Sequence, residues 1–177
     1  MFISLQQLEL RAVPFNVDIP ANEIDYGSDL TQASILHAEG SAKLLNHSLG
    51  EVRVEGKLSV TMNARCDRCL ESAAFPVERR FDLVYVPAEE SGGENEIQHA
   101  GIDVGFYEGS GLALKDILRE VVLLALPMQL VCSEACKGIC PLCGQNRNQH
   151  DCGCEPENVD TRWNKLRTFR AEIGPRN

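Results

Sequence analysis

Residues 51–69 read EVRVEGKLSVTMNARCDRC. Val52, Val54, Leu58, Val60, Met62, Ala64 and Cys66 share one parity, and Glu51, Arg53, Glu55, Lys57, Ser59, Thr61, Asn63 and Arg65 hold the other. Successive side chains of a strand point to opposite faces, so this alternation predicts a long, half-buried antiparallel strand over 51–66. Gly56 inside it is read as a bulge. Phe75, Val77, Phe81, Leu83 and Tyr85 are also in phase, which predicts a partner strand over roughly 75–86. Cys66-Asp67-Arg68-Cys69 then falls at the tip of a hairpin. A thioredoxin-like dithiol needs a helix opening at its first cysteine, and the alternating run with Pro76 supplies none.

The other six cysteines lie in residues 132–154, CSEACKGICPLCGQNRNQHDCGC. The chain's eight cysteines suffice for two tetrahedral all-thiolate zinc sites. An even count also suits disulfides, so spacing has to decide. Two residues between Cys140 and Cys143 let both sulfurs turn toward one metal about 2.3 Å away. Gly144, just after, permits the positive φ that turns the chain aside. The stretch carries Ile139 and Leu142 as its large apolar residues, too few to bury a core, so a cross-link has to order it. One pairing places Cys66, Cys69, Cys132 and Cys136 on one zinc and Cys140, Cys143, Cys152 and Cys154 on the other. A zinc ribbon would instead join Cys66 and Cys69 to Cys140 and Cys143. His150 is a spare ligand or a solvated loop histidine. Four thiolates leave no open position for water, so either pairing makes the zinc structural.

Outward from these stretches the signals are simpler. Residues 1–19 alternate loosely, with Val13, Phe15, Val17 and Ile19 on one parity, and predict an edge strand that tolerates Pro14. Residues 20–30 read as a turn and short helix, and 34–49 as one or two strands. Residues 87–101 read as an acidic solvated loop. Leu114, Ile117, Leu118, Val121, Val122 and Ala125 follow helical spacing within 112–126 and predict a helix packed on the sheet. Leu123, Leu124 and Leu126 widen its stripe, which predicts last turns buried nearly all round, and Pro127 ends it.

The chain has 177 residues, 44% of them hydrophobic but 6% aromatic, so a sizeable and mostly aliphatic core is expected. The formal charge of −9 argues against a surface that clamps nucleic acid all over. Residues 161–177 run the other way: five basic residues against Glu172 give +4, which leaves −13 for the rest. Lys137, Arg147, Arg162, Lys165, Arg167 and Arg170 are candidate phosphate contacts, with Trp163 able to stack on a base. The alternative has the tail folding back on the acidic body, with Trp163 and Leu166 as anchors. No HExxH, GxSxG or phosphate-cradling glycine loop is present. With Glu9, Arg11 and Asp18 in the first twenty residues and no long apolar run, the reading is a cytoplasmic chain with reduced thiols and no membrane partner.

The order CDRCL after a long strand, LLALP at a helix end, C-x3-CKGICPLCG-x-N, a C-x-C and a closing DTRW-x-KL resembles the YceD family, the large ribosomal RNA subunit accumulation proteins. That family usually ends D-P-R-W-x-x-L; here Thr161 replaces the proline. The resemblance covers about residues 50–170. It implies a non-enzymatic role in ribosome biogenesis, in the making or accumulation of large-subunit (23S) ribosomal RNA.

The expected fold is α+β: a mostly antiparallel sheet packed on one main helix, followed by a cysteine-rich zinc-binding appendage. The expected division is residues 1–128 as core domain and 129–177 as zinc module with a basic C-terminal helix. Expected partners are large-subunit ribosomal RNA precursors or large-subunit ribosomal proteins, with no small-molecule substrate. The other reading is a zinc-stapled interaction module that binds a basic ribosomal protein or assembly factor without touching RNA.

Overall fold

The computed structural model describes residues 1–45, 50–88 and 103–154. They form a mostly β structure with two helices. The strands are β1 (Phe2–Ser4), β2 (Val13–Ile19), β3 (Leu30–Gln32), β4 (Leu36–Leu44), β5 (Val52–Arg65), β6 (Ser72–Pro87), β7 (Asp103–Tyr107) and β8 (Gly111–Ala113). The helices are α1 (Leu5–Leu10) and α2 (Leu114–Ala125). The main sheet runs β2-β4-β5-β6-β7, with β3 also on β5; β1 and β8 make a separate ribbon.

The β5–β6 hairpin is the spine. Its antiparallel register runs without a break from Val52↔Tyr85 to Arg65↔Ser72. Val52, Val54, Leu58, Val60, Met62 and Ala64 are buried on one face, as the alternation predicts. The bulge expected at Gly56 is absent: Gly56 pairs with both Phe81 and Gly40. Its glycine has another cause. Phe15, Gly40, Gly56 and Phe81 form one row across four strands. The rings of Phe15 and Phe81 lie over the two glycines. A Cβ on Gly56 would sit 2.5 Å from the Glu39 carbonyl oxygen and 2.9 Å from Phe81 Cζ. A Cβ on Gly40 would collide with the Glu55 carbonyl oxygen. The row thus lets two aromatic side chains close on the sheet where other side chains would hold them off. On the outer face, ion pairs cross the strands, among them Lys57–Glu39 at 2.9 Å and Arg53 Nε to Asp82 Oδ1 at 2.7 Å.

The inner face is covered by both helices and the β1–β8 ribbon. Leu114, Ile117, Leu118, Val121 and Val122 of α2 join one core with Ile3, Leu8, Phe15, Leu36, Phe81 and Leu83. The end of α2 is not buried all round as expected, because Leu124 is 73% exposed. Residues 5–10, read as part of an alternating strand, form α1. Ser4 caps it: Ser4 Oγ accepts from Gln7 N and Gln7 Oε1 accepts from Ser4 N. The short helix expected within 20–30 is absent. Gly27 N bonds Asp25 Oδ1 in a turn, and α2 pins the segment through Arg119 Nε to Asp25 O and Lys115 to Glu23. β6 and β7 pair in parallel, a departure from the antiparallel pattern. Among the described residues no helix is long and apolar enough to cross a membrane.

Candidate metal centre

β5 ends at Arg65 and β6 begins at Ser72, so the hairpin delivers Cys66–Cys69 as its tip. Two hydrogen bonds shape the turn: Cys66 N to Glu71 O at 2.8 Å and Leu70 N to Cys66 O at 2.8 Å. The same turn recurs at Cys140–Cys143, with Cys140 N to Gln145 O at 2.8 Å and Gly144 N to Cys140 O at 2.9 Å. The residue after the second cysteine has positive φ in both, +72° at Gly144 and +62° at Leu70. Glycine enters that region freely, whereas a leucine there costs about 1–2 kcal/mol.

The eight thiols gather into two groups, Cys66, Cys69, Cys132 and Cys136, and Cys140, Cys143, Cys152 and Cys154. Within each group the sulfurs all lie within 4.8 Å of one another. These are the sets of the first pairing considered above. Cys66 Sγ lies 3.9 Å from Cys136 Sγ, and Cys69 Sγ lies 3.7 Å from Cys132 Sγ. Four sulfurs about 2.3 Å from a central zinc stand about 3.8 Å apart, so the spacing fits a tetrahedral thiolate site. It is far too long for disulfides, and all eight thiols are free. His150, exposed, belongs to neither group.

The electrostatics point the same way. The backbone N–H of Cys132 donates to Cys66 Sγ at 3.3 Å and brings that thiol down to about 6. The backbone N–H groups of Cys143 and Leu142 bring Cys140 down to about 6. Asn148 Nδ2 donates to Cys136 Sγ at 3.4 Å and lowers Cys136. Cys69, Cys132 and Cys154 shift in the opposite direction. Cys69, although Glu71 N–H pulls it down, is pushed up to about 12 by burial and the sulfurs around it. Cys154 is pushed up to about 12 by Cys143 and Cys152. The first group thus splits into Cys66 and Cys136, which ionise readily, and Cys69 and Cys132, which hold their protons; in the second Cys140 ionises readily and Cys154 holds its proton. Four thiolates can share such a space when a cation is among them, which is the chemistry a zinc ion supplies.

The first group is embedded. Cys66, Cys69 and Cys136 are buried with Val131 against them. Leu130 fastens the arriving chain to the tip through Leu130 N to Asp67 Oδ2 at 2.6 Å and Asp67 N to Leu130 O at 2.7 Å. Ile139 N donates to Arg68 O at 2.9 Å, and Arg68 Nη1 reaches Cys136 O at 3.4 Å. Glu71 Oε1 accepts from Asn146 Nδ2 at 3.3 Å and Gln149 Nε2 at 3.2 Å.

Of the candidate phosphate contacts, Lys137 and Arg147 are exposed and flank Gly138, whose carbonyl accepts from Arg147 N at 2.9 Å. Arg68, which the sequence reading passed over, joins them: its carbonyl would lie 2.9 Å from a Cβ on Gly138. Arg162, Trp163, Lys165, Arg167 and Arg170 lie outside the described residues, as does the short helix expected there. Asn148 and Leu70 were also missed; neither position carries a spacing signal, and each acquires a role through a neighbour's backbone or sulfur.

A Ser–His–Asp juxtaposition exists on the outer face of the sheet. Asp18 Oδ1 is 2.5 Å from His37 Nδ1, and Ser59 pairs across from His37. No hydrogen bond joins Ser59 to His37, and the His37 and Asp18 side chains are 60% and 66% exposed. The groove there, about 650 Å³, includes no cysteine among its lining residues.

Comparison with known proteins bears on the same residues. The family described as large ribosomal RNA subunit accumulation protein YceD matches residues 54–170. The chain is 25% identical over 152 residues to the large ribosomal RNA subunit accumulation protein YCED homolog 1, chloroplastic, of Arabidopsis thaliana, covering 70% of this chain and 46% of that protein. It is 28% identical over 138 residues to the Zea mays protein of the same name, covering 62% and 46%. An uncharacterized protein of Mycobacterium tuberculosis is 27% identical over 115 residues, covering 65% and 54%. The chain thus spans about half the length of the curated relatives it matches. No solved structure matches. The matched span runs through the hairpin spine, both cysteine turns and α2, and the chain belongs to the YceD family.

Proposed function

We propose that the chain is a zinc-stapled, non-enzymatic factor in ribosome biogenesis that supports accumulation of large-subunit ribosomal RNA. On this reading it acts in the cytoplasm by binding precursor RNA or an assembling large subunit; the plant relatives are named as chloroplastic. The family's description and the relatives' names support the process. The observation that carries the chemistry is the pair of four-thiol groups beside Arg68, Lys137 and Arg147. The eight cysteines hold two structural zinc ions, and residues 129–177 act as a module pinned to the 1–128 core by the first of them. The module presents cations to phosphate, and Arg162, Lys165, Arg167, Arg170 and Trp163 extend that contact.

Sedimentation of the tagged chain in cell lysate, with and without RNase, tests the process. Co-migration with large-subunit precursors that RNase abolishes is expected; free protein at the top of the gradient overturns it. Binding to precursor RNA should weaken as salt rises, because phosphate contacts release counterions. Metal analysis of freshly purified, reduced protein should give two zinc per chain. No metal with eight free thiols overturns the zinc assignment. The second reading, a basic ribosomal protein held by the acidic body, draws on the −13 that the chain carries outside residues 161–177. Charge reversal at Arg162, Lys165, Arg167 and Arg170 separates the two, since it abolishes RNA binding and leaves a complex with a basic protein intact.

A further inference from the structure

The loop that closes the second thiol group also touches the first. Asn148 lies between Cys143 and Cys152, so its position depends on the second group. Its side chain, however, works on the first: Nδ2 donates to Cys136 Sγ at 3.4 Å, and Oδ1 accepts from Lys137 N at 2.8 Å. Asn146 Oδ1 holds it in place, accepting from Asn148 N and Nδ2, both at 2.9 Å. The neighbouring backbone is zipped to the same stretch through Arg147 N to Gly138 O and the Ile139↔Asn146 bridge.

Residues 144–151, GQNRNQHD, contain no apolar side chain. No core burial orders this loop. Its hydrogen bonds and the closure of its two ends by Cys140, Cys143, Cys152 and Cys154 have to offset the entropy of fixing it. A loop released at one end no longer presents Asn148 to Cys136 without an ordering cost. A sulfur that carries charge and loses an N–H donor is a more costly group to bury.

From this we infer that the two zinc sites are coupled, with Asn148 as the residue that transmits the coupling. The inference rests on the zinc reading above. Filling the second site orders the loop and sets Asn148 against Cys136, which tightens the first. By linkage the first site tightens the second by the same factor, because a free-energy coupling is reciprocal. Asn148 is a positioning residue here: it acts on the metal through a ligand. Loss of one hydrogen bond to a charged sulfur corresponds to about a tenfold change in affinity.

The test is competition for zinc against a chromophoric chelator, using the full chain under reducing conditions. Four proteins are compared: the native chain, Asn148→Ala, Cys143→Ser/Cys154→Ser, and the triple variant. Asn148→Ala should weaken the first site about tenfold, the double serine variant should do the same, and the triple should be no worse than either. Cobalt(II) gives a second readout, since loss of the N–H donor to Cys136 should shift the sulfur-to-cobalt charge-transfer band of the first site. If the double variant does not fold, Asn148→Ala alone decides, because reciprocity requires that it weaken the second site as well. Two bound zinc ions with affinities unmoved by Asn148→Ala, or effects that simply add in the triple variant, overturn the coupling and leave the zinc reading standing. Failure of the native chain to take up zinc or cobalt overturns both.

Discussion

The two cysteine turns share a pattern of backbone hydrogen bonds and differ in what holds them. Cys66–Cys69 caps a hairpin whose fourteen paired positions, Val52↔Tyr85 to Arg65↔Ser72, are tied into the sheet core. Cys140–Cys143 opens a segment whose pairing amounts to one isolated bridge, Ile139↔Asn146. In the first group three of four thiols are buried; in the second Cys140 is buried, Cys152 is intermediate, and Cys143 and Cys154 are exposed. The same local geometry is therefore reached in two ways. The sheet positions the first turn in advance, and there a leucine survives at positive φ. The second is held by loop hydrogen bonds without a sheet behind it, and the permissive residue, glycine, stands at the corresponding place.

The largest effect expected from this contrast is on metal removal. Chelation of the reduced protein should abolish hydrogen-exchange protection of the Gly144, Arg147 and His150 amides while the β5–β6 ladder stays protected. Exchange of the whole chain as one unit would break the comparison. Next comes the sheet's own dependence on its glycine row. Gly56→Ala should lower stability by about 3 kcal/mol in denaturant titration, since a Cβ meets backbone and a buried ring. Zinc content per folded molecule should stay unchanged, and a parallel loss of zinc would show that sheet and metal sites are not separable.

Smaller still are exchanges at the left-handed positions. Gly144→Ala should weaken the second turn by about 1 kcal/mol. Leu70→Gly should strengthen the first by about 0.5 kcal/mol, part of the relief being offset by glycine's greater freedom when unfolded. Chelator competition at each site measures both, and the same sign in the two variants would refute equivalence of the turns. The smallest difference is expected in acid. Cys66 and Cys140 both lie at about 6, below the ordinary value of 9.0. A depressed thiol favours the folded, ionised state above its ordinary value, and that advantage fades as pH falls through the lower one. Zinc takes the ionised form, so both sites should hold metal at neutral pH and release it together on acidification, as followed with a zinc-responsive dye. Two well-separated release steps would contradict the shared geometry.

Much of this was readable from sequence where a period or a spacing was long enough. The alternation of 51–66 gave the spine, and the two-residue gaps placed both turns. The grouping of the thiols stayed open in the sequence, because a tip that brings Cys66 and Cys69 together needs two more sulfurs and either Cys132 and Cys136 or Cys140 and Cys143 could supply them; the structure brings up Cys132 and Cys136. Short signals failed. LQQLEL is a turn and a half of helix and was absorbed into a neighbouring alternation. The parallel strand β7 is five residues and has no pattern of its own. Gly56 reads as a bulge in the sequence, and the close approach that its partner Gly40 makes becomes visible after the register is known. Arg68 carries no signal of its own between two cysteines, and its nearness to Gly138, between Lys137 and Arg147, exists only once the two turns meet.

The span of the first thiol group has a consequence in time. Cys66 and Cys69 leave the ribosome as an open pair, while Cys132 and Cys136 are still to be made. At roughly 5–20 residues per second, the nascent chain carries an incomplete dithiol for several seconds, after its hairpin is long enough to form. During that interval the pair is open to any passing thiophilic metal or oxidant. Once Cys132 and Cys136 are translated they can close that window, fastening the newer part of the chain to a hairpin made earlier.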